Sequence, residues 1–437
     1  MNPSSLAGHT VELLDSVVKS TLPSDRVIQD FFRGRRYLGS HDRRWISDKI
    51  YDIIRNFILL RDLSEKCAAS IGPLRVFLTH EIIMDGMNAA QLESAYPSLI
   101  ESYRLSGERL DLAAWETCIR GGYDAVAETR REDPLFYSFP DFFPALLPES
   151  LVGEGVPMMR ALNHEAGLCI RVDTNKMPRE EAALKFLAGG NPAEETEYSP
   201  MGLILSKRLN LNNDDLYRAG VIEVQEEASQ LVGLLVDPRK DETIVDACAG
   251  AGGKSLEIAA LAGGDCRIFA LDVDDTRLRN LVARASRNGY TNISPIRVKE
   301  GDLGEAGKLI GTADKVIVDA PCSGSGTIRR NPDKKFRLTK ELVAGYARHQ
   351  KEILEQYAKL VRVGGILVYS TCSVFSEENI GVVESFLESR GDFSRENAAD
   401  YLPGEEFSRL VENGLFATYP HRHNMDGFFA AVMKRVS

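Results

Sequence analysis

The chain has 437 residues, of which 43% are hydrophobic and 27% are charged. Length alone predicts two or three domains, each able to bury a core without disulfides or metal ions. The composition is typical of a globular protein and excludes the fibrous, disordered and membrane classes. With 53 basic and 64 acidic side chains the formal net charge is −11. This charge argues against a general nucleic-acid coat, although a local basic patch can still attract a polyanion.

The seven cysteines are scattered, and no two of them have a CxxC spacing. The sequence therefore predicts neither a disulfide framework nor a zinc ribbon. His421 and His423 form a close pair with no cysteine beside them, so we expect no metal ion. The first residues lack a basic start followed by an apolar run, which argues against a secretory signal. We expect a reducing cytoplasmic compartment and no membrane association.

Apolar residues at helical spacing predict an all-helical domain over residues 1–145, with one long helix from Ser40 to Leu63. The opposite helix faces carry many arginines, which suit a solvated surface as well as an RNA-contacting one. Residues 130–150 contain four prolines. Because prolines break a helix interior, we expect a domain boundary there.

Residues 146–220 predict a small α+β segment, with a strand at Leu168–Val172 and a helix at Arg179–Leu187. Strands and helices then alternate through a third domain, residues 221–437. Its candidate strands are Thr243–Ala247, Ile268–Asp272, Ser294–Val298, Lys315–Asp319, Ile366–Ser370 and Phe428–Lys434. This alternation predicts a parallel, doubly wound sheet, which binds ligands at the carboxyl ends of its strands.

A glycine-rich loop, Asp246–Ser255, follows the first of these strands and precedes a helix. A dinucleotide fingerprint fails because Ser255 occupies the position of its last glycine. A Walker A loop fails narrowly because Cys248 occupies the position of its first glycine, so a P-loop-like NTPase stays an alternative. S-adenosylmethionine fits the loop together with Asp272, an acid at the end of the second strand that can accept from ribose hydroxyls.

Two cysteines, Cys322 and Cys372, follow the fourth and fifth candidate strands. A lone cysteine is most often a small buried apolar residue. Two cysteines at neighbouring strand ends, beside Asp272 and the glycine-rich loop, favour a functional pair in one crevice.

A thiol pair suits the methylation of cytosine at carbon 5, which is a poor nucleophile. Addition of a thiolate to carbon 6 converts the ring to an enamine and makes carbon 5 nucleophilic. An acid at ring nitrogen 3 must stabilise the developing charge, and Asp319, three residues before Cys322, is the natural candidate. A second thiol can assist release of the product.

Across roughly residues 165–435 these segments resemble the RNA cytosine-5 methyltransferases of the Sun/Fmu (RsmB/NOP) type. The matching motifs are Asp246–Ser255, Ala270–Asp272 with Arg277 and Leu278, Asp319–Asp333, Thr371–Asn379 and Asp426–Phe429. The resemblance implies a class I SAM-dependent methyltransferase, a Rossmann-like doubly wound α/β sheet. The resemblance also implies two domains before this methyltransferase domain. The first is an N-terminal all-helical domain similar to NusB, and the second is a small α+β RNA-recognition-like subdomain. Mild departures are Ala251 for proline, Ser255 for threonine and Phe336 for tryptophan.

The resemblance also implies the roles of individual residues. Cys372 is the expected nucleophile, Cys322 assists release, Asp319 holds the cytosine and Lys254 lies at the crevice. The expected cofactor-binding residues are Cys248, Ala249, Gly250, Ala251, Gly252, Gly253, Lys254, Asp272, Asp302 and Asp319. The expected RNA contacts are Arg171, Lys176, Arg329, Arg330, Lys334 and Lys335.

The function expected from this resemblance is methyl transfer from S-adenosylmethionine to carbon 5 of a cytidine in RNA. The NusB-like helices favour 16S rRNA as the substrate, and we expect a monomer. A noncatalytic RNA-binding or ribosome-assembly factor is the further alternative, but it would not require Cys372 and Asp319, which are both present.

Overall fold

The computed structural model describes residues 1–68, 71–105, 110–129, 132–207, 209–402 and 404–437. These residues form two units. The helical unit comprises Met1–Ala145, Leu151–Asn163 and Ile328–Leu338, and the sheet unit comprises Leu146–Ser150, His164–Thr327 and Thr339–Ser437. The boundary expected at residues 130–150 begins with two residues, 130 and 131, that lie outside the described ranges.

Helices dominate the first third of the chain, and strands alternate with helices in the remainder. The helices are α1 (Pro3–Lys19), α2 (Ser24–Arg33), α3 (Ser40–Arg55), α4 (Phe57–Cys67), α5 (Pro73–Ile83), α6 (Ala89–Ala95), α7 (Pro97–Leu105), α8 (Leu112–Thr129), α9 (Gly155–Asn163), α10 (Arg179–Ala188), α11 (Asp215–Arg218), α12 (Glu227–Leu235), α13 (Gly253–Leu261), α14 (Asp275–Arg287), α15 (Lys334–Arg337), α16 (Lys340–Ala358), α17 (Ile380–Ser389) and α18 (Pro420–His423). The strands are β1 (Leu168–Val172), β2 (Ala193–Glu195), β3 (Gly202–Leu205), β4 (Ile222–Val224), β5 (Thr243–Asp246), β6 (Arg267–Asp272), β7 (Ile293–Arg297), β8 (Ala313–Asp319), β9 (Val361–Thr371), β10 (Phe393–Arg395), β11 (Val411–Glu412), β12 (Leu415–Thr418) and β13 (Phe428–Arg435). Within the described ranges, no helix is both long and apolar enough to cross a membrane.

The helical unit is organised around one apolar core. In α3 the buried side chains are Ile46, Ile50, Ile53 and Ile54, a spacing that puts all four on one helix face. The single helix expected from Ser40 to Leu63 is divided into α3 and α4, with a break at Asn56. The break reorients the chain while leaving the helical periodicity almost unchanged, so the pattern alone did not reveal it.

A disulfide joins Cys67 at the end of α4 to Cys118 in α8. The scattered spacing of the cysteines predicted no disulfide framework and did not indicate this single bond. The two residues are 51 positions apart, and the pairing arises because α4 and α8 pack against each other in the helical core. A spacing rule based on nearby cysteines could not find such a pair.

Residues 328–338 belong to the helical unit, although the sequence predicted them within the domain that spans 221–437. The Ser24 hydroxyl donates to Asp333 Oδ1 at 2.8 Å, and Arg337 donates to the Ser20 carbonyl at 2.8 Å. The ring centroids of Phe336 and Phe57 are 4.8 Å apart. These contacts make the segment part of the helical core rather than an exposed loop.

The sheet unit begins with a small antiparallel sheet whose strand order is β2-β3-β1-β4. Its strand β1 and its helix α10 lie where the sequence predicted a strand and a helix, with bounds that differ by at most one residue. The buried side chains of Ile170, Val172 and Leu203 share one core with Phe186 of α10.

The large sheet has the strand order β11-β12-β13-β9-β8-β5-β6-β7, and β10 pairs with β13. Strands β5 to β9 are parallel, while β13 runs antiparallel to β9. All six candidate strands are present, so the expected doubly wound sheet is confirmed. The register pairs Asp319 of β8 with Ser370 of β9, which brings the carboxyl ends of these strands to the same edge.

Candidate active site

A cavity of ≈790 Å³ opens at the carboxyl ends of β5, β6 and β8. One side is formed by residues of these strand ends, namely Ala247, Cys248, Asp272, Asp319 and Pro321. Another side is formed by residues of α16: His349, Glu352, Ile353, Glu355, Gln356 and Tyr357. The α16 residues could not be found from the sequence, because a helix face that lines a cavity carries no motif of its own.

The carboxylate of Asp272 is fixed beside the glycine-rich loop. Its Oδ2 accepts from the Gly250 amide at 2.8 Å and its Oδ1 from the Asp274 amide at 2.7 Å. Each oxygen keeps a second lone pair that can accept from a hydroxyl of a ligand. The structure thus places Asp272 at the cavity in a geometry suited to a ribose.

The loop itself bends sharply before α13. Gly250 and Gly252 have φ values of 54° and 87°, a region that glycine occupies without strain. A Cβ on Gly252 would also lie 2.6 Å from Leu281 Cγ. Arg284 of α14 donates to the Ala251 carbonyl at 2.7 Å and so braces the loop from outside. This arginine was not among the residues singled out from the sequence.

The remaining residues of the expected cofactor loop have different surroundings. Cys248 lines the cavity, and desolvation raises the pKa of its thiol well above the usual range. Ala249 is buried, and Gly253 begins α13. Asp302 is exposed and its Oδ1 accepts from the Gly304 amide at 2.9 Å. The cavity is lined by Glu300 and Gly301 rather than by Asp302.

Lys254 reaches from α13 to the end of β8. Its Nζ lies 2.6 Å from Asp319 Oδ2 and 3.1 Å from the Ser229 hydroxyl. Burial lowers the pKa of Lys254, but Asp319, with smaller contributions from Glu257 and Asp246, more than offsets burial and holds the pKa above its usual value. In the substrate-free protein Lys254 is therefore a charged ammonium bound to Asp319.

Ser255 is also engaged within the protein. It is fully buried and its hydroxyl donates to Asp246 Oδ2 at 2.6 Å. A Walker A loop needs its lysine and its serine for phosphates and Mg²⁺. Because Lys254 and Ser255 both bond to acids of the protein, the NTPase interpretation loses its two key groups.

The two candidate cysteines meet at the same edge of the sheet. Cys322 Sγ and Cys372 Sγ are 3.3 Å apart, and both residues are partly exposed. Beside them, Ser370 donates to Asp319 Oδ1 at 3.0 Å. The pairing of Asp319 with Ser370 across β8 and β9 is what brings the loops that follow these strands together.

The Asp-Gly-Phe-Phe motif also lies close to these loops. Gly427 donates its amide hydrogen to the Gly326 carbonyl at 2.9 Å, and Gly326 donates to the Cys372 carbonyl at 3.0 Å. A Cβ on Gly326 would overlap the backbone of Gly427. Glycine is required here because two backbones approach each other closely.

Two expected RNA contacts in the small sheet have structural roles instead. Arg171 is buried and donates to Gln225 Oε1 at 2.7 Å. Lys176 Nζ donates to the carbonyls of Gly220 and Asn288 at 2.8 and 2.6 Å. Because Arg171 is buried and the Lys176 ammonium bonds to two protein carbonyls, the expectation that these residues contact phosphates is corrected.

Two further expected contacts are buried in the helical unit. Lys335 is 1% exposed. It donates to the Arg55 carbonyl and to Asn163 Oδ1, the latter at 2.7 Å, and its burial holds the pKa well below the usual value. Arg329 is also buried. Within the same segment, Arg330 and Lys334 are partly exposed.

Comparisons with known proteins show which family this chain resembles. The family model "16S rRNA methyltransferase RsmB/F" matches residues 233–434. A probable ribosomal RNA small subunit methyltransferase B from Synechocystis sp. is 32% identical over 303 residues, which are 68% of this chain and 67% of that protein. The protein of the same description from Bacillus subtilis is 33% identical over 61% of this chain and 59% of its own length.

A solved structure extends the similarity to the whole chain. The crystal structure of PH0851 has a TM-score of 0.78 at 26% identity and covers 100% of this chain and 99% of its own. S-adenosylmethionine is the cofactor of this family, and the ribose-binding geometry of Asp272 fits it. The chain belongs to the RsmB/F family of rRNA methyltransferases and is an S-adenosylmethionine-dependent enzyme.

Proposed function

We propose that the protein methylates carbon 5 of a cytidine in ribosomal RNA, with 16S rRNA as the substrate, and that it acts as a cytoplasmic monomer. One observation carries this proposal: the thiols of Cys322 and Cys372 lie 3.3 Å apart, in the loops that follow the paired strand ends of Asp319 and Ser370. The relatives named as small-subunit rRNA methyltransferases support the choice of RNA.

The first step is covalent activation of the base. The Cys372 thiolate adds to carbon 6 and forms an S–C6 bond, while the electron pair of the ring double bond moves towards nitrogen 3. Asp319 contacts nitrogen 3. A proton passes from the Lys254 ammonium to the Asp319 carboxylate, 2.6 Å away, and from Asp319 to nitrogen 3. Carbon 5 becomes an enamine carbon and hence a nucleophile.

When bound, S-adenosylmethionine supplies an electrophilic methyl group on a sulfonium. Carbon 5 would form its bond to this methyl group as the methyl–sulfur bond breaks, with S-adenosylhomocysteine as the leaving group. The proton on carbon 5 must then leave. The Cys322 thiolate accepts that proton and becomes a thiol. The electron pair of the broken carbon 5–hydrogen bond restores the double bond between carbons 5 and 6. The S–C6 bond breaks as this happens, and Cys372 leaves as a thiolate. Nitrogen 3 then returns its proton through Asp319 to Lys254.

The basic residues that remain candidates for RNA contact are Arg330 and Lys334, since both are partly exposed. Their replacement by alanine is expected to weaken RNA affinity and to reduce its dependence on salt, because each phosphate contact releases counterions. The same replacement of exposed Lys340 serves as a control for the loss of one positive charge.

The proposal is tested with purified protein, methyl-labelled S-adenosylmethionine and unmodified small-subunit rRNA, followed by nucleoside analysis. Label in 5-methylcytidine establishes the reaction and the substrate class together. Label in another nucleoside, or in tRNA or large-subunit rRNA alone, contradicts the proposed base or the proposed RNA. Binding of rRNA without label on any of these RNAs would favour the noncatalytic assembly factor.

A further inference from the structure

Glu378 is a fully buried acid that follows the Cys372 loop and takes no part in the chemistry above. Its Oε1 accepts from the Ser323 amide at 2.7 Å and from Gln350 Nε2 at 3.1 Å. Its Oε2 accepts from the hydroxyls of Ser323 and Ser373, both at 2.5 Å. A carboxylate has about four lone-pair sites, so these four donors saturate it.

The two serines are the immediate neighbours of the two cysteines. Ser323 follows Cys322 in the loop after β8, and Ser373 follows Cys372 in the loop after β9. One carboxylate therefore bonds to both loops at the residue next to each thiol. Hydrogen bonds to an ionised group are short and strong, and in a buried site they hold their partners firmly.

The turn that carries Glu378 is itself held in place. The backbone carbonyl of Glu378 accepts from the Tyr369 hydroxyl at 2.6 Å. The neighbouring Asn379 accepts from the Thr371 hydroxyl at 2.5 Å and donates to the Ser373 carbonyl at 2.9 Å. These bonds fix the backbone on either side of Cys372, so the carboxylate points to its serines.

We propose that Glu378 is a positioning residue that sets the spacing between the Cys322 and Cys372 thiols. The inference rests on the proposed function, in which one thiol bonds to carbon 6 and the other takes the proton from the adjacent carbon 5. Two thiols can serve neighbouring ring atoms only if their separation is held, and displacements of about 1 Å can cost a reaction roughly a hundredfold.

The test compares three single variants with the wild-type protein. Glu378→Asp keeps the charge but is one methylene shorter, so its carboxylate cannot reach both serines. Glu378→Gln keeps the length, and its amide can donate to the serine hydroxyls while its oxygen accepts from the Ser323 amide and Gln350. Glu377→Gln, at an exposed neighbouring acid, controls for the loss of a charge.

The first measurement needs neither RNA nor cofactor. Diamide oxidises two thiols to a disulfide and is reduced to a hydrazine, and mass spectrometry of the linked peptides follows the Cys322–Cys372 bond. We expect Glu378→Asp to lower the rate of Cys322–Cys372 disulfide formation about tenfold or more, because such reactions depend steeply on the distance between the reacting groups. Glu378→Gln and Glu377→Gln are expected to react at the wild-type rate.

The second measurement separates release from binding. In Glu378→Asp we expect kcat to fall about tenfold with KM for RNA within about twofold, and the SDS-stable RNA adduct to increase. A merely structural role would lower turnover and adduct together, in proportion to the folded fraction. Either that result or diamide coupling at the wild-type rate overturns the inference.

Two controls keep these outcomes distinct. If Glu378→Asp does not fold, Ser373→Ala removes one of the four donors and is expected to slow diamide coupling in the same direction. If wild-type protein makes no 5-methylcytidine, the proposed function fails. The diamide comparison then still decides whether Glu378 sets the thiol spacing.

Discussion

The ammonium of Lys254 lies 2.6 Å from Asp319 Oδ2, and the opposite oxygen of that acid accepts from Ser370. This contact joins the start of α13 to the end of β8. The segment that contains the glycine-rich loop therefore also presents the lysine whose ammonium is bound to Asp319.

Replacement of Lys254 by methionine is expected to lower kcat about a hundredfold, since Asp319 loses the cation that stabilises it and supplies its proton. Steady-state kinetics with labelled cofactor measure this effect. The control Lys359→Met removes a lysine that lines the same cavity. Equal losses in both variants would contradict a specific role for Lys254.

The two cysteines are expected to respond differently to mutation. Cys372→Ala should abolish methyl transfer, because no thiol is left to add to carbon 6. Cys322→Ala should instead accumulate a covalent RNA–protein adduct that survives SDS, because release is blocked after methyl transfer. Gel electrophoresis with labelled RNA distinguishes them, and an adduct trapped by Cys372→Ala would reverse the two roles.

Lys335 is expected to affect stability rather than RNA affinity. Lys335→Ala leaves the Arg55 carbonyl and Asn163 Oδ1 without their buried donor, which should cost about 1–3 kcal/mol of unfolding free energy. Urea unfolding measures the loss. The slope of RNA affinity against salt should match wild type, whereas a shallower slope would restore Lys335 as a phosphate contact.

Glu257 is expected to make stability depend on pH. Burial raises the pKa of this carboxyl to about 8, above its value in the unfolded chain. The folded state therefore holds the proton more tightly than the unfolded chain does. As pH rises from the unfolded pKa through about 8, the free energy of unfolding falls. Its slope against pH is at most about 1.4 kcal/mol per pH unit. Urea unfolding between pH 5 and 9 should show that slope, and Glu257→Gln should flatten it. An equal slope in that variant would rule out Glu257 as its source.

The strands of the large sheet, and the motifs that follow their ends, could be predicted from local patterns in the sequence. Alternating apolar runs predicted β5 to β9, and each motif followed a strand end, which parallel topology brings to one edge of the sheet. The sequence therefore predicted that Asp272, Asp319, Cys322 and Cys372 lie at one edge of the sheet. Such inferences succeed because periodicity and strand-end motifs are local properties of the chain.

Contacts between side chains that are far apart in the chain could not be predicted from the sequence. The four donors around Glu378, the Cys67–Cys118 bond and the burial of Lys335 in the helical unit all join distant residues. A run of basic residues has the same appearance in sequence whether its ammonium groups face phosphates or buried carbonyls. The difference depends on packing and on desolvation of each charge, which no local pattern encodes.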